Sequence, residues 1–254
     1  MRGNPETMTA TSLETVTYSK DGPIARLVLD RPGVVNAYNR RMRDELYEVL
    51  EAVRDDPEVR VVVLSGAGEK GFCAGADLTE FGTAPSQVIA REVRWERDIW
   101  GLFLSIEKPA VAALHGWVIG SGVEIACLCD VRVASEDAVF RMPEVALGML
   151  PAAGGTQTLP RAVGASRALQ MVLEHGQIDA TEARRIGLVH RVVPRESLLP
   201  EAERVAVDLA SRDPAALASV KLAIAWGMDL PLGAGLDLEK RLLAKLLMSG
   251  VATQ

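Results

Sequence analysis

Two short strand patterns, 13–20 and 24–30, flank the turn Asp21-Gly-Pro23. After Arg31-Pro32-Gly33 the period changes. Met42, Leu46, Val49, Leu50 and Val53 keep a helical i, i+4, i+7 rhythm behind a cap at Asn39. The run 59–65 is dominated by β-branched residues, the mark of a strand buried on both faces.

The same alternation continues. A helical stretch over about 85–106 leads to a strand at 110–114, a helix beginning near Gly120 and a strand at 131–134. Helices, strands and turns with short connections predict an α/β fold with a mostly parallel sheet. From Ser166 onward helices dominate, with one predicted strand at 187–193. Segments 196–211, 214–227 and 232–248 read as helices, with Pro200, Pro214 and Pro231 near their starts. No internal repeat is visible by eye.

Composition narrows the function classes. A chain of 254 residues that is 48% hydrophobic and 24% charged suits one globular domain with a large core. Its net charge of −6 argues against non-specific nucleic-acid binding, which needs a basic face. No apolar run reaches the roughly twenty residues of a membrane span. Residues 1–12 are polar and read as a disordered leader. Cys73, Cys127 and Cys129 fit no disulfide framework, and with three scattered histidines they fit no metal site. Reduced thiols in a cytoplasmic protein are the expectation.

Two carboxylates stand out. Glu124 closes His115-Gly-Trp-Val-Ile-Gly-Ser-Gly-Val-Glu124, and Glu144 closes Val139-Phe-Arg-Met-Pro-Glu144. An acid in an apolar stretch is costly to bury unless paired, hydrogen-bonded or used. Taken singly, Glu124 also reads as a helix-dipole partner and Glu144 as a turn acid. The run Phe72-Cys-Ala-Gly-Ala-Asp77 directly follows the buried strand, where small residues let backbone N–H groups approach a ligand. The glycines at 116, 120 and 122 do not have dinucleotide-fingerprint spacing, and there is no phosphate loop. A helix N-terminus able to stabilise negative charge is what remains.

Phe72-Cys-Ala-Gly-Ala-Asp77, Gly116 to Glu124, Asp130, Pro143-Glu144, Gly148 and Pro151-Ala-Ala-Gly-Gly-Thr-Gln157 together resemble the enoyl-CoA hydratase/isomerase (crotonase) family. Arg31-Pro32, Asn36-Ala37 and the segment Ala180 to Val189 fit as well, so the likeness runs from about residue 13 to the C-terminus.

The resemblance implies a crotonase-like spiral of β-β-α units over 13–195 and a helical region over 196–254. It implies an acyl-CoA thioester held between the N–H groups of Ala74 and Ser121, with Glu124 handling water and Glu144 supplying the Cα proton. Ala37, Gly75, Ala76, Asp77, Leu78 and Gly120 are the implied substrate-binding positions. Coenzyme A comes with the substrate, no other cofactor or metal is implied, and the expected assembly is a homotrimer or a dimer of trimers. Retention of both glutamates favours a hydratase. The alternatives are a Δ3-Δ2 isomerase, which can work with one shuttling carboxylate, and a non-catalytic acyl-CoA-binding protein.

Departures from the family pattern are Ser121 where glycine is usual, Arg141 where small residues are frequent, and His115 and Trp117. Family members usually continue past 238–242 with a helix over the CoA site, whereas this chain stops at Gln254; either that helix is absent or the sequence is incomplete. Trp95 and Trp100 are candidates for an acyl pocket accepting a bulky group, with core packing as their default. Arg26, Arg31 and Lys70 are candidates for the CoA phosphates, and Leu242, Leu243, Leu246 and Leu247 form an apolar stripe suited to assembly.

Overall fold

The computed structural model describes residues 9–83, 86 and 96–248. Strands β1 (Thr9–Ser12), β2 (Val16–Asp21) and β3 (Ile24–Leu29) form an antiparallel meander. Helix α1 (Arg40–Asp55), β4 (Val61–Gly66), α2 (Ile99–Ser105) and β5 (Ala110–Leu114) follow. Then come β6 (Trp117–Ile119), α3 (Ser121–Leu128), β7 (Val131–Ser135) and β8 (Val139–Arg141). Helices α4 (Gly155–Val163) and α5 (Ala165–Glu174) precede β9 (Ile178–Asp179), α6 (Ala180–Arg185) and β10 (Arg191–Val193). Helices α7 (Leu198–Ala210), α8 (Pro214–Gly227) and α9 (Leu232–Met248) close the described chain.

The main sheet has the order β1-β2-β3-β4-β5-β7-β10, parallel from β3 onward, and a second sheet has the order β6-β8-β9. Alternate side chains of the central strands enter two cores. Val62, Leu64, Ala112 and Leu114 join the core that includes the α1 stripe Met42, Leu46, Val49, Leu50 and Val53. Val61, Val63, Val111, Ala113 and Val133 pack instead with Leu198, Ala202, Val205, Ala206 and Ala210 of α7. Covered on both faces, these strands have no polar side to show, which is why β4 reads as an apolar run. Asn39 caps α1 as expected, accepting from the Met42 N–H at 2.9 Å, a contact of about 1 kcal/mol.

Three expectations are adjusted, and a second sheet joins the first. Residues 9–12 are the edge strand β1 rather than leader, while 1–8 lie outside the described residues. Of the helix expected over 85–106, Ile99–Ser105 is described as α2; 84, 85 and 87–95, including Trp95, lie outside the described residues. The strand expected at 187–193 shrinks to Arg191–Val193, because Gly187 turns at φ 84° and the N–H groups of Leu188 and Val189 cap α6 on the Ala183 carbonyl. The second sheet has strands of three, three and two residues, too short to leave a period. No described helix is long and apolar enough to cross a membrane.

Candidate active site

The C-terminal end of β4 feeds the run Phe72 to Asp77, which threads between two backbone partners. The N–H of Phe72 donates to the His115 carbonyl and that of Cys73 to the Trp117 carbonyl. On the other side the Ala74 N–H donates to the Val35 carbonyl at 2.8 Å. The expected oxyanion donor at Ala74 is therefore already occupied. Two residues on, the Gly75 carbonyl accepts from Tyr38 N–H and the Asp77 N–H donates to the Tyr38 carbonyl, each at 2.8 Å. The N–H of Ala76 between them has no hydrogen-bond partner among the described residues. Gly75 turns the segment at φ 94°, and the Tyr38 bonds at Gly75 and Asp77 leave the Ala76 N–H on the side away from Tyr38. Motif shape cannot reveal that.

Ser121 is the first residue of α3, and its N–H likewise has no partner among the described residues. Gly120 precedes it at φ 50° and ψ −115°, with its own N–H on the Arg141 carbonyl at 2.9 Å. These glycines bring backbone together. A methyl built on Gly75 would stand 3.7 Å from the Ser121 nitrogen, and one on Gly120 would stand 2.5 Å from Oε1 of Glu144. The Ser121 N–H at the head of α3, with the Gly75-Ala76 backbone drawn up beside it, is a place where a developing oxyanion can be stabilised.

The glutamates occupy opposite environments. Glu124, in the first turn of α3, is 2% exposed. Its Oε1 accepts from the N–H of Ala153 at 3.0 Å and of Gly155 at 2.8 Å, the latter being the first residue of α4. Two backbone donors and a helix N-terminus favour the ionised carboxylate. Glu144 opens a short 3₁₀ turn (Glu144–Leu147) behind Pro143. Its Oε2 is buried with no hydrogen-bond partner among the described residues. Burial first, then the charge of Glu124, pushes its carboxyl up to about 7, although its own backbone N–H pulls the other way. One acid is gripped by two backbone donors and the other is desolvated with its carboxyl pushed upward, environments unlike enough to divide acid from base work.

The remaining predicted positions divide. Asp77 is spent on architecture: it caps a 3₁₀ turn (Leu78–Glu80) through Thr79 and pairs with Arg31 at 2.9 Å. Those contacts hold its carboxyl below the ordinary range, led by Thr79 and then Arg31. Ala37 accepts from the same Arg31 guanidinium, and Leu78 is exposed beside it. Arg26 is removed from the phosphate candidates, because it is locked to Glu203 of α7 at 2.6 and 2.8 Å, on the α7 side of the sheet. Lys70 is exposed. Trp100 packs against the core with its ring 5.9 Å from Tyr38, the residue that clamps the Ala76 segment. His115 is buried, its Nε2 donating to the Gly68 carbonyl at 3.0 Å, and Arg141 donates to the His175 carbonyl at 2.9 Å. Gly155 carried no expectation of its own, although its place in Gly154-Gly155 after Pro151 was the available signal.

A profile of the enoyl-CoA hydratase/isomerase family matches residues 19–250. The chain is 38% identical to a crotonyl-CoA hydratase of Syntrophomonas wolfei, over 89% of this chain and 87% of that one. It is also 38% identical to a 2,3-dehydroadipyl-CoA hydratase of Escherichia coli, over 92% and 91% of the two chains. Among solved structures, an enoyl-CoA hydratase subunit I of Geobacillus kaustophilus superposes with a TM-score of 0.87 at 35% identity, covering 94% of this chain and 91% of that one.

Proposed function

This chain belongs to the enoyl-CoA hydratase/isomerase family, and on that premise we propose that it adds water across the 2,3 double bond of an acyl-CoA thioester, with Glu124 as base, Glu144 as acid, and Ala76 and Ser121 as oxyanion donors. The observation that carries the reading is the contrast between the two glutamates: one carboxylate fixed by two N–H donors, the other buried, unpaired and raised to about 7.

Glu124 takes a proton from water as its oxygen bonds to Cβ. The double-bond electrons move toward the thioester carbonyl, and the enolate oxygen is held by the N–H groups of Ala76 and Ser121. Such donors are worth roughly 3–4 kcal/mol each in comparable sites. Glu144 then delivers its proton to Cα, giving the 3-hydroxyacyl-CoA. Water is added and no electrons are exchanged, so the chemistry calls for no redox cofactor; the coenzyme A arrives as part of the substrate.

Glu124→Gln separates this from double-bond isomerisation. It should abolish loss of enoyl absorbance from crotonyl-CoA, whereas Glu144→Gln should cripple hydration and isomerisation alike, each by roughly 10²–10⁴-fold. Hydration untouched by Glu124→Gln would sink the two-glutamate mechanism.

The assembly is read as a homotrimer or a dimer of trimers. No residue of α8 or α9 is buried, and Val220, Ile224, Trp226, Leu236, Leu243 and Leu247 all stand exposed. A face of that kind supports subunit contact. The free cysteines, with Cys73 and Cys129 buried, fit a reducing cytoplasmic setting.

A further inference from the structure

Two consecutive residues that are not glycine, Val35 at φ 52° and Asn36 at φ 55°, occupy the left-handed region. For a β-branched valine this is a steric outlier, and such backbone persists only where its surroundings over-determine it. The Asn36 side chain supplies that determination. The residue is fully buried. Its Oδ1 accepts from the Arg31 N–H at 2.9 Å. The two protons on Nδ2 are shared among the carbonyls of Ala67, Gly71 and Phe72 at 2.9, 3.0 and 3.1 Å. Its own N–H donates to the Arg31 carbonyl at 2.9 Å. One amide thus rivets the 31–38 loop to the 67–72 loop.

Between those loops runs the segment that carries the candidate oxyanion donor. The contacts on both sides of Ala76 come from the riveted loop: Val35 takes the Ala74 N–H, and Tyr38 grips the Gly75 carbonyl and the Asp77 N–H. With these neighbours fixed, the direction of the Ala76 N–H has little freedom left.

We propose that Asn36 is a positioning residue for the reaction, holding a strained left-handed turn that aims the Ala76 N–H at the thioester oxygen. Asn36 touches no substrate and acts through Val35, Tyr38 and the 72–77 segment. The inference rests on the reading of Ala76 as an oxyanion donor and adds what sets that donor's direction.

The test uses the full chain and a conjugated aryl-enoyl-CoA, whose ultraviolet band moves to longer wavelength when hydrogen bonds polarise its carbonyl. Wild type should shift the band on binding. Asn36→Asp fits the same volume but turns an oxygen toward three carbonyl oxygens, and Asn36→Gly suits the left-handed backbone while removing the rivet. In either variant, checked for folding by thermal melting, the band shift should shrink and kcat for crotonyl-CoA should fall about 10–100-fold. KM should change less than kcat, because the fully buried Asn36 side chain itself makes no contact with substrate. A folded variant with the wild-type shift and kcat overturns the proposal. Val35→Gly relieves the strained valine but keeps every Asn36 bond, so its band shift should fall by less than half. Complete loss of the shift there would assign the positioning to the valine and likewise overturn the proposal, whether or not the Asn36 variants fold. Absence of any shift in wild type would instead refute the oxyanion reading beneath it.

Discussion

The N–H of Gly155 donates to Oε1 of Glu124 at 2.8 Å, and a methyl built on Gly155 would lie 2.7 Å from that same oxygen. The glycine is needed for proximity. A Cβ would also meet Pro151 Cβ at 2.8 Å, so relief has to come from displacing the Glu124 carboxylate. Gly155→Ala should therefore fold, keep KM, and lose about 10–100-fold in kcat as the carboxylate is pushed off the water position. Steady-state hydration of crotonyl-CoA checks it, and a variant with wild-type kcat would show that Glu124 need not sit where Gly155 holds it.

Replacing Ala76 by lactic acid, through nonsense suppression, turns its N–H into an ester oxygen and changes little else. The expected loss is roughly 10²–10³-fold in kcat. The same replacement at Ala74 removes the bond to Val35 that helps fix the segment, so it should lower the melting temperature and cost kcat less than the change at Ala76 does. The opposite ranking would return the donor role to Ala74.

Glu144 gives stability a pH dependence of known sign. Its carboxyl titrates near 7 in the fold against an ordinary value of 4.5. Between those values the native state holds a proton that the unfolded chain has released, so stability falls as pH rises through the window. Glu144→Gln cannot ionise. Relative to wild type it should gain about 1–3 kcal/mol between pH of about 4 and about 8, read by denaturant unfolding. Wild-type hydration should also fail on the alkaline side at or above about pH 7, as the acid loses its proton. A variant whose relative stability drops with pH would contradict the raised carboxyl.

Helix α9 carries Leu242 and Leu246 half-buried, while Leu243 and Leu247 are exposed at 54% and 55%. Light scattering should report a trimer or its dimer. Charged substitutions such as Leu243→Glu with Leu247→Glu should shift the mass downward, and a wild-type monomer would contradict the assembly.

The chain's own pattern determined the α/β class, the cap at Asn39, the buried run in β4 and the helical last third, because each rests on periodicity or local bonding within a few residues. It also pointed to Glu124 and Glu144 as costly acids. Their roles were a different matter. Glu124 is gripped by amides 29 and 31 residues away, and Oε2 of Glu144 is buried without a partner among the described residues. The Ala74 N–H is taken by Val35 and the bonds flanking Ala76 by Tyr38, both from a separate loop. Hydrogen-bond direction and desolvation depend on neighbours distant in sequence, so only the tertiary structure decided which acid meets backbone donors, which is desolvated, and which N–H of the segment is left without a partner among the described residues.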